Sequence, residues 1–243
     1  MRRELTGCIV RIFEESKGRY GSPKVYEVLR KQGKKCSENT VAKIMRENRL
    51  KARVNRVYVK NPGLHRFFKR TDNKRIGQPE PKGVNQVWVG DVTYIKVKNS
   101  FQYLAAIMDL YSRKLIGWSL GGNRRGELTE RALMNAIRKR CPAGGLIFHS
   151  DRGIEYSANR YHELLGKYGI VPSMNRPGHC QDNAHMESFF HSLKGELIRN
   201  TSIADVKELK DLLKGYITHF YNRKRIHSGI NYCSPVEYEA LAR

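Results

Sequence analysis

Three acidic residues stand where their surroundings make them chemically costly. Asp91 lies inside VWVGDVTYI, flanked by Val, Trp and Tyr in a run that reads as a central strand. A carboxylate charge there loses water and needs something to repay it, and a cation is the obvious candidate. Asp151 follows LIFHS, a short apolar run that reads as a buried strand. The space just beyond a strand's C-terminal end is where open α/β sheets place active sites. Glu187 lies in DNAHMESFFHSLKGEL, a helical stretch, with 35 residues between it and Asp151. Lys194 comes seven positions later, about two helical turns, so the spacing predicts that both side chains project from one face. Taken singly, each acid reads as solvated or salt-bridged; only the three together point to shared chemistry.

The elements that must position these residues begin near residue 86. Val87–Val97, Phe101–Leu110 and Lys114–Leu120 are strand-like runs separated by short polar breaks. A helix is predicted over 127–140, then a strand at Leu146–His149, a helix around Asn159–Tyr168 and a strand at Ile170–Ser173. Two long helices follow, at about 183–199 and 205–221, and Ser234-Pro235 opens a last short helix through Leu241. Three sequential strands predict an antiparallel meander, and the later helical crossovers predict parallel additions. The fold class is therefore α/β: a ribonuclease H-like mixed sheet as catalytic core, preceded by a small helical domain.

That helical domain shows apolar residues at helical spacing from Leu5 to Phe13, from Val25 to Leu29 and from Val41 to Met45. Gly21, Ser22-Pro23, Gly33 and Ser37 supply stops and starts. Three short helices with exposed Lys and Arg read as a helix-turn-helix-type DNA-binding segment over 1–52, or as a plain bundle with a solvated basic face. Residues 53–84 have no sustained periodicity and read as a basic linker. The core is expected over 85–200 and a C-terminal helical extension over 201–243.

The charge supports a polyanionic partner. The chain has 243 residues with 46 Lys and Arg against 23 Asp and Glu, a net of +23. Residues 1–82 carry +15 of this and the rest +8. An excess of one sign favours nucleic acid. No apolar stretch is long enough to span a membrane, and the N-terminal residues do not read as a secretory signal. Five scattered cysteines without a C-x-x-C pair indicate neither a zinc knuckle nor a disulfide framework, and a reducing cytoplasm fits.

Five ordered blocks then carry a resemblance that covers nearly all of the chain. RYGSPKVYEVLRKQG with VAKIMRENRLKAR, VWVGDVTYI, HSDRGIEYS, RPGHCQDNAHMESFFHSLKGEL and YNRKRIHSGINYCSPVEY resemble the OrfB-type transposases of insertion sequence family three. These lie within the retroviral-integrase-like D,D(35)E superfamily. The resemblance implies a Mg²⁺-dependent polynucleotidyl transferase, with Mn²⁺ as an alternative ion, that cuts and joins element ends. It implies Asp91 as a shared metal ligand, with Asp151 and Glu187 completing one site each. Partners would be double-stranded DNA, further copies of the chain and, in this family, an upstream-frame product or fusion. Gly90 stands where threonine is usual, and Ile154-Glu155 replaces Ser-Gln, so Glu155 either perturbs the site or faces solvent.

Secondary residues keep two readings each. Lys194 contacts a phosphate or base, or is a solvated helix lysine. Asn183 binds a ligand carboxylate or DNA, or caps the helix. His149 and Ser150 orient Asp151 or are structural. Arg223, Lys224, Arg225 and His227, interleaved with aromatics, suit a nucleic-acid groove or form a solvated loop. His185 and His191 have no zinc spacing and remain unassigned. Two other functions stand beside transposition: a catalytically incomplete DNA-binding regulator, and a ribonuclease H-type nuclease that would leave the N-terminal helices unexplained.

Overall fold

A computed structural model describes residues 2–52, 71–199 and 201–241. They fall in two compact units, one within Met1–Lys60 and Ser192–Asn200, the other within Asn61–His191 and Thr201–Arg243.

The described N-terminal residues of the first unit form α1 (Arg2–Glu15), α2 (Ser22–Lys31) and α3 (Glu38–Glu47). Their apolar faces meet through buried Ile9, Ile12, Val25, Leu29, Val41, Ile44 and Met45. Pro23 sits in the first turn of α2, where a missing N–H costs nothing. Gly33 after α2 adopts φ +74°, a left-handed conformation that glycine takes without strain. Ser37 caps α3 by accepting from the Thr40 N–H at 3.2 Å. Arg19 joins the outlying segment to the helices, its Nε donating to the Glu196 carbonyl at 3.4 Å.

The second unit is built on a five-stranded sheet of β1 (Val87–Val97), β2 (Ser100–Asp109), β3 (Leu115–Gly121), β4 (Ile147–Ser150) and β5 (Val171–Met174). Their spatial order is β3-β2-β1-β4-β5. β1–β2 and β2–β3 pair antiparallel, while β1–β4 and β4–β5 pair parallel. This is the mixed sheet that the element order predicts. β1 is central, so its apolar run is covered on both sides while Asp91 interrupts it.

Between the strands run α4 (Gly126–Arg140), the four-residue α5 (Ile154–Ser157) and α6 (Asn159–Lys167). Trp88, Ile107, Ile116 and Phe148 of the sheet pack with Leu128, Ala132, Leu133 and Ala136 of α4 and with Tyr156, Tyr161 and Leu165. Small residues set the approach of α4. A Cβ at Gly117 on β3 would lie 2.3 Å from the Ala132 carbonyl and 2.8 Å from the Ala136 Cβ.

Beyond β5 the chain tightens into a 3₁₀ turn, Cys180–Asn183, and then α7 (Ala184–Leu193), which gives way to a π-helical segment at Lys194–Ile198. α8 (Val206–Gly215) likewise runs into a π segment at Tyr216–Tyr221. The two long helices read from periodicity are thus composites. In the second, the wider turn buries Tyr216, Phe220 and Tyr221 together, with the Tyr216 ring 5.6 and 6.2 Å from the other two. Asn222 follows and mimics a strand neighbour. Its amide oxygen accepts from the Leu115 N–H and its amide nitrogen donates to the Leu115 carbonyl, both at 2.9 Å. A final helix, α9 (Pro235–Leu241), carries Glu239.

The segment 53–70, most of the expected linker, lies outside the described residues. Its remainder, 71–84, is tied to the second unit. Asn73 donates to Asp182 at 2.8 Å, and the Lys74 N–H donates to Ser173 Oγ at 3.0 Å.

Candidate active site

Register brings the two aspartates together. Gly90 on β1 and Ser150 on β4 are the last paired residues of a parallel ladder. The residues that follow them are Asp91 and Asp151. Neighbouring strands lie about 4.8 Å apart, and side chains at matched positions point to the same face. The pairing therefore sets two carboxylates side by side at the open end of β4.

Local hydrogen bonds orient both. Asp91 Oδ1 accepts its neighbour's N–H, from Val92, at 2.7 Å. Asp151 Oδ1 accepts from the Gly153 N–H at 3.0 Å. Burial, reinforced by the Asp151 charge, pushes the Asp91 carboxyl well above the usual range. Burial and the neighbouring Glu155 push Asp151 up as well. Two like charges held this close favour a shared proton or a cation between them.

Glu155, left open as perturbing or solvent-facing, is buried on α5 at 2% exposure. Its Oε1 accepts from Arg124 Nε at 2.6 Å, and the same guanidinium has Nη2 3.8 Å from Asp151 Oδ2. Arg124 comes from the segment between β3 and α4. A loop arginine carries no periodicity, so nothing in the sequence marked it for this place.

Asn183 connects this pair to α7. It is buried, and its Nδ2 donates to the Gly90 carbonyl at 3.1 Å, one residue before Asp91. That contact is neither a helix cap nor an open DNA face. Glu187 follows one turn later and is exposed. Among the described residues, no group of three or more His, Cys, Asp and Glu stands close enough to hold a metal ion. The structure thus brings Asp91 and Asp151 together and leaves Glu187 apart. As a donor pair the aspartates fit a hard divalent ion, which prefers carboxylate oxygens, and their mutual repulsion is what such an ion relieves.

The other expected residues take varied places. His149 is buried, with Nδ1 2.9 Å from Ser173 Oγ on β5. Burial, with the Arg75 charge adding to it, pushes His149 down to about 4, so it is neutral near pH 7 and ties β4 to β5. Ser150 is buried and donates to the Asp151 carbonyl at 3.0 Å. Lys194 opens the π segment, so α-helical spacing from Glu187 ends just before it. Arg223 and Lys224 are exposed. Arg225 is buried instead, 5.7 Å over the Tyr221 ring with Nη1 3.3 Å from His227 Nδ1.

Gly90 has a steric cause. A Cβ there would lie 2.6 Å from Cζ of Phe148, whose ring fills the space a threonine side chain would need.

The chain has relatives among known proteins. Residues 1–58 match the HTH-like domain family, and residues 81–180 and 168–235 match integrase core domain families. The chain is 35% identical over 247 residues to the transposase for insertion sequence element IS904 of Lactococcus lactis, covering 98% of this chain and 94% of that one. It is 34% identical over 240 residues to transposase InsF for insertion sequence IS3A of Escherichia coli, covering 98% and 83%. A simian T-cell lymphotropic virus intasome structure contains a chain with TM-score 0.56 at 14% identity, covering 95% of this chain and 74% of that one. The HTLV-2 integrase catalytic core domain in complex with magnesium (trimeric form) gives TM-score 0.50 at 16% identity, covering 65% and 98%. Those two likenesses carry the fold, and the nearly full-length sequence identities carry the kinship: the chain belongs to the IS3-type insertion-sequence transposases, with an HTH-like domain ahead of a retroviral-integrase-like core.

Proposed function

We propose that this protein cleaves and joins DNA strands at the ends of an insertion sequence, with Mg²⁺ held by Asp91 and Asp151; Glu187, which stands apart from them in this structure, joins as third ligand only when DNA and metal are bound. The observation that carries the reading is the register pairing that sets Asp91 beside Asp151. A divalent ion held by these carboxylates would supply activation of a water or 3′-hydroxyl and charge stabilisation at the leaving 3′ oxygen. The chain's own part is to fix the carboxylates: Val92 and Gly153 orient them through backbone N–H groups, and Asn183 anchors the start of α7 beside Asp91.

In this reading residues 1–52 grip DNA as a helix-turn-helix-type segment, 53–84 link them to a core over 85–200, and 201–243 extend it. Lys194, Arg223 and Lys224 are phosphate contacts. Arg225 and His227, packed on Tyr221, support the loop that carries Arg223 and Lys224. Two element ends must be brought together, so the protein works as a homo-oligomer on DNA in the cytoplasm. An upstream-frame product is a further partner.

The test is incubation with labelled element-end DNA and Mg²⁺. Nicked and joined strands are expected, abolished by chelation. Binding without cleavage would favour a DNA-binding regulator, and cleavage confined to RNA in hybrids would favour a nuclease. Arg223→Ala and Lys224→Ala should each reduce the salt dependence of binding by about one unit of slope.

A further inference from the structure

Glu155 and Arg124 lie beside the aspartates, and neither has a role in the mechanism above. Glu155 is almost wholly buried, so its charge depends on the Arg124 Nε contact at 2.6 Å. The far side of the same guanidinium stands 3.8 Å from Asp151 Oδ2, an ion-pair distance but beyond a hydrogen bond. One cation is therefore shared unequally between two carboxylates, with Glu155 holding the larger share. The site has no slack: a Cβ at Gly153 would meet the Glu155 carboxylate at 2.8 Å and Asp151 Oδ1 at 2.9 Å. Arg124 itself is 44% exposed on its side chain, so solvent can receive it.

We infer that Arg124 is the resident counter-cation of the carboxylate pair and that Glu155 holds it off Asp151, so the two together set how strongly the site takes a divalent ion. The inference rests on the metal-site reading above. Arg124 supplies positive charge while the aspartates lack a metal. Glu155 fixes its near end and leaves the outer face of Asp151 open. Removing Arg124 deletes a competitor and leaves an added negative charge near the site. Neutralising Glu155 does the reverse, because Arg124 then has only Asp151 to pair with. Both are positioning residues, since neither needs to touch the reacting atoms.

The charge logic predicts opposite signs, which a merely structural pair would not show. Mn²⁺ alone is titrated into the full-length protein without DNA, free ion is read by electron paramagnetic resonance, and thermal melts give the folded fraction. Arg124→Gln should bind Mn²⁺ on the order of tenfold more tightly and Glu155→Gln on the order of tenfold more weakly, as expected for one charge a few ångströms away in a partly screened site. The double variant should return to within about threefold of the wild type. Singles that shift in the same direction, or a double that stays with either single, overturn the inference. Should Arg124→Gln fail to fold around an unpaired Glu155, the other two variants decide: weakened binding in Glu155→Gln with recovery in the double supports it, and anything else overturns it. Asp151→Asn separates the two layers. A wild-type site lost in Asp151→Asn keeps the metal reading whatever the cycle gives, whereas a wild type without such a site removes both.

Discussion

Two charge clusters in the sheet-bearing unit, one buried and one half-buried, face opposite circumstances. At one, Glu239 of α9 reaches into the core and is fully met. Ser112 Oγ donates to it at 2.8 Å, Lys114 Nζ lies 2.5 Å from it, and Arg140 pairs with both of its oxygens. Burial alone would raise this carboxyl, but Arg140, Lys114 and Ser112 outweigh it and hold it below the usual range. At the other, Asp91, Asp151 and Glu155 have Arg124 as their one neighbouring cation among the described residues, and both aspartates are pushed up. A buried acid with enough partners is structure, and half-buried acids with too few are where a ligand belongs. The comparison makes the Glu239 cluster a clasp for the C-terminal helix and the aspartate pair a place kept short of positive charge.

The largest stability effect should fall on the clasp. Glu239→Gln strands Arg140 and Lys114 in a half-buried setting and should cost about 3 kcal/mol in chemical denaturation. A loss under about 1 kcal/mol would mean that the clasp is a surface pair in effect. Next in size, Gly117→Ala pushes a methyl into the backbone of α4 and should cost about 2 kcal/mol, without touching either cluster. It sets the scale of ordinary overpacking against which the charge effects are read.

The smallest effect is the most telling. Asp91 has a raised folded-state pKa, so the folded protein holds that proton more firmly than the unfolded chain does. Its contribution declines as pH rises from about 4, the unfolded value, through the folded value. Asp91→Asn should therefore melt a few degrees above the wild type at neutral pH without metal, and the gap should close near pH 4. Glu239 has the opposite sign. Its contribution is present above about pH 4 and is lost as pH falls through the depressed folded value. The deficit of Glu239→Gln should thus be widest at neutral pH and shrink in acid. Parallel rather than opposed trends in the two melting series would erase the distinction between the clusters.

The sequence made the two aspartates legible because strands advertise themselves by apolar runs, and an acid inside or just after such a run stands out. It made β1 legible residue for residue for the same reason. The π segments were illegible, since the apolar faces of π and α turns differ too little over five or six residues. α5, four residues long, spans barely one helical turn, too short for a periodicity to repeat. Arg124, Arg225 and Glu239 were illegible for another reason. Charged residues in a loop, a basic run and a short amphipathic helix read as solvated, and only tertiary contacts decide that Arg225 stacks on Tyr221 or that Glu239 turns inward. Glu155 showed itself only as a departure from its relatives' pattern, and Gly90 only acquired a cause once the Phe148 ring was seen against it.

The most direct test of the central claim is strand cleavage of labelled element-end DNA in Mg²⁺, measured for Asp151→Asn beside Glu239→Gln at matched folded fraction and matched DNA binding. Cleavage should fall at least on the order of a thousandfold in Asp151→Asn, as for loss of a group that stabilises developing charge, with near wild-type cleavage per folded molecule in Glu239→Gln. Wild-type cleavage by Asp151→Asn would contradict it.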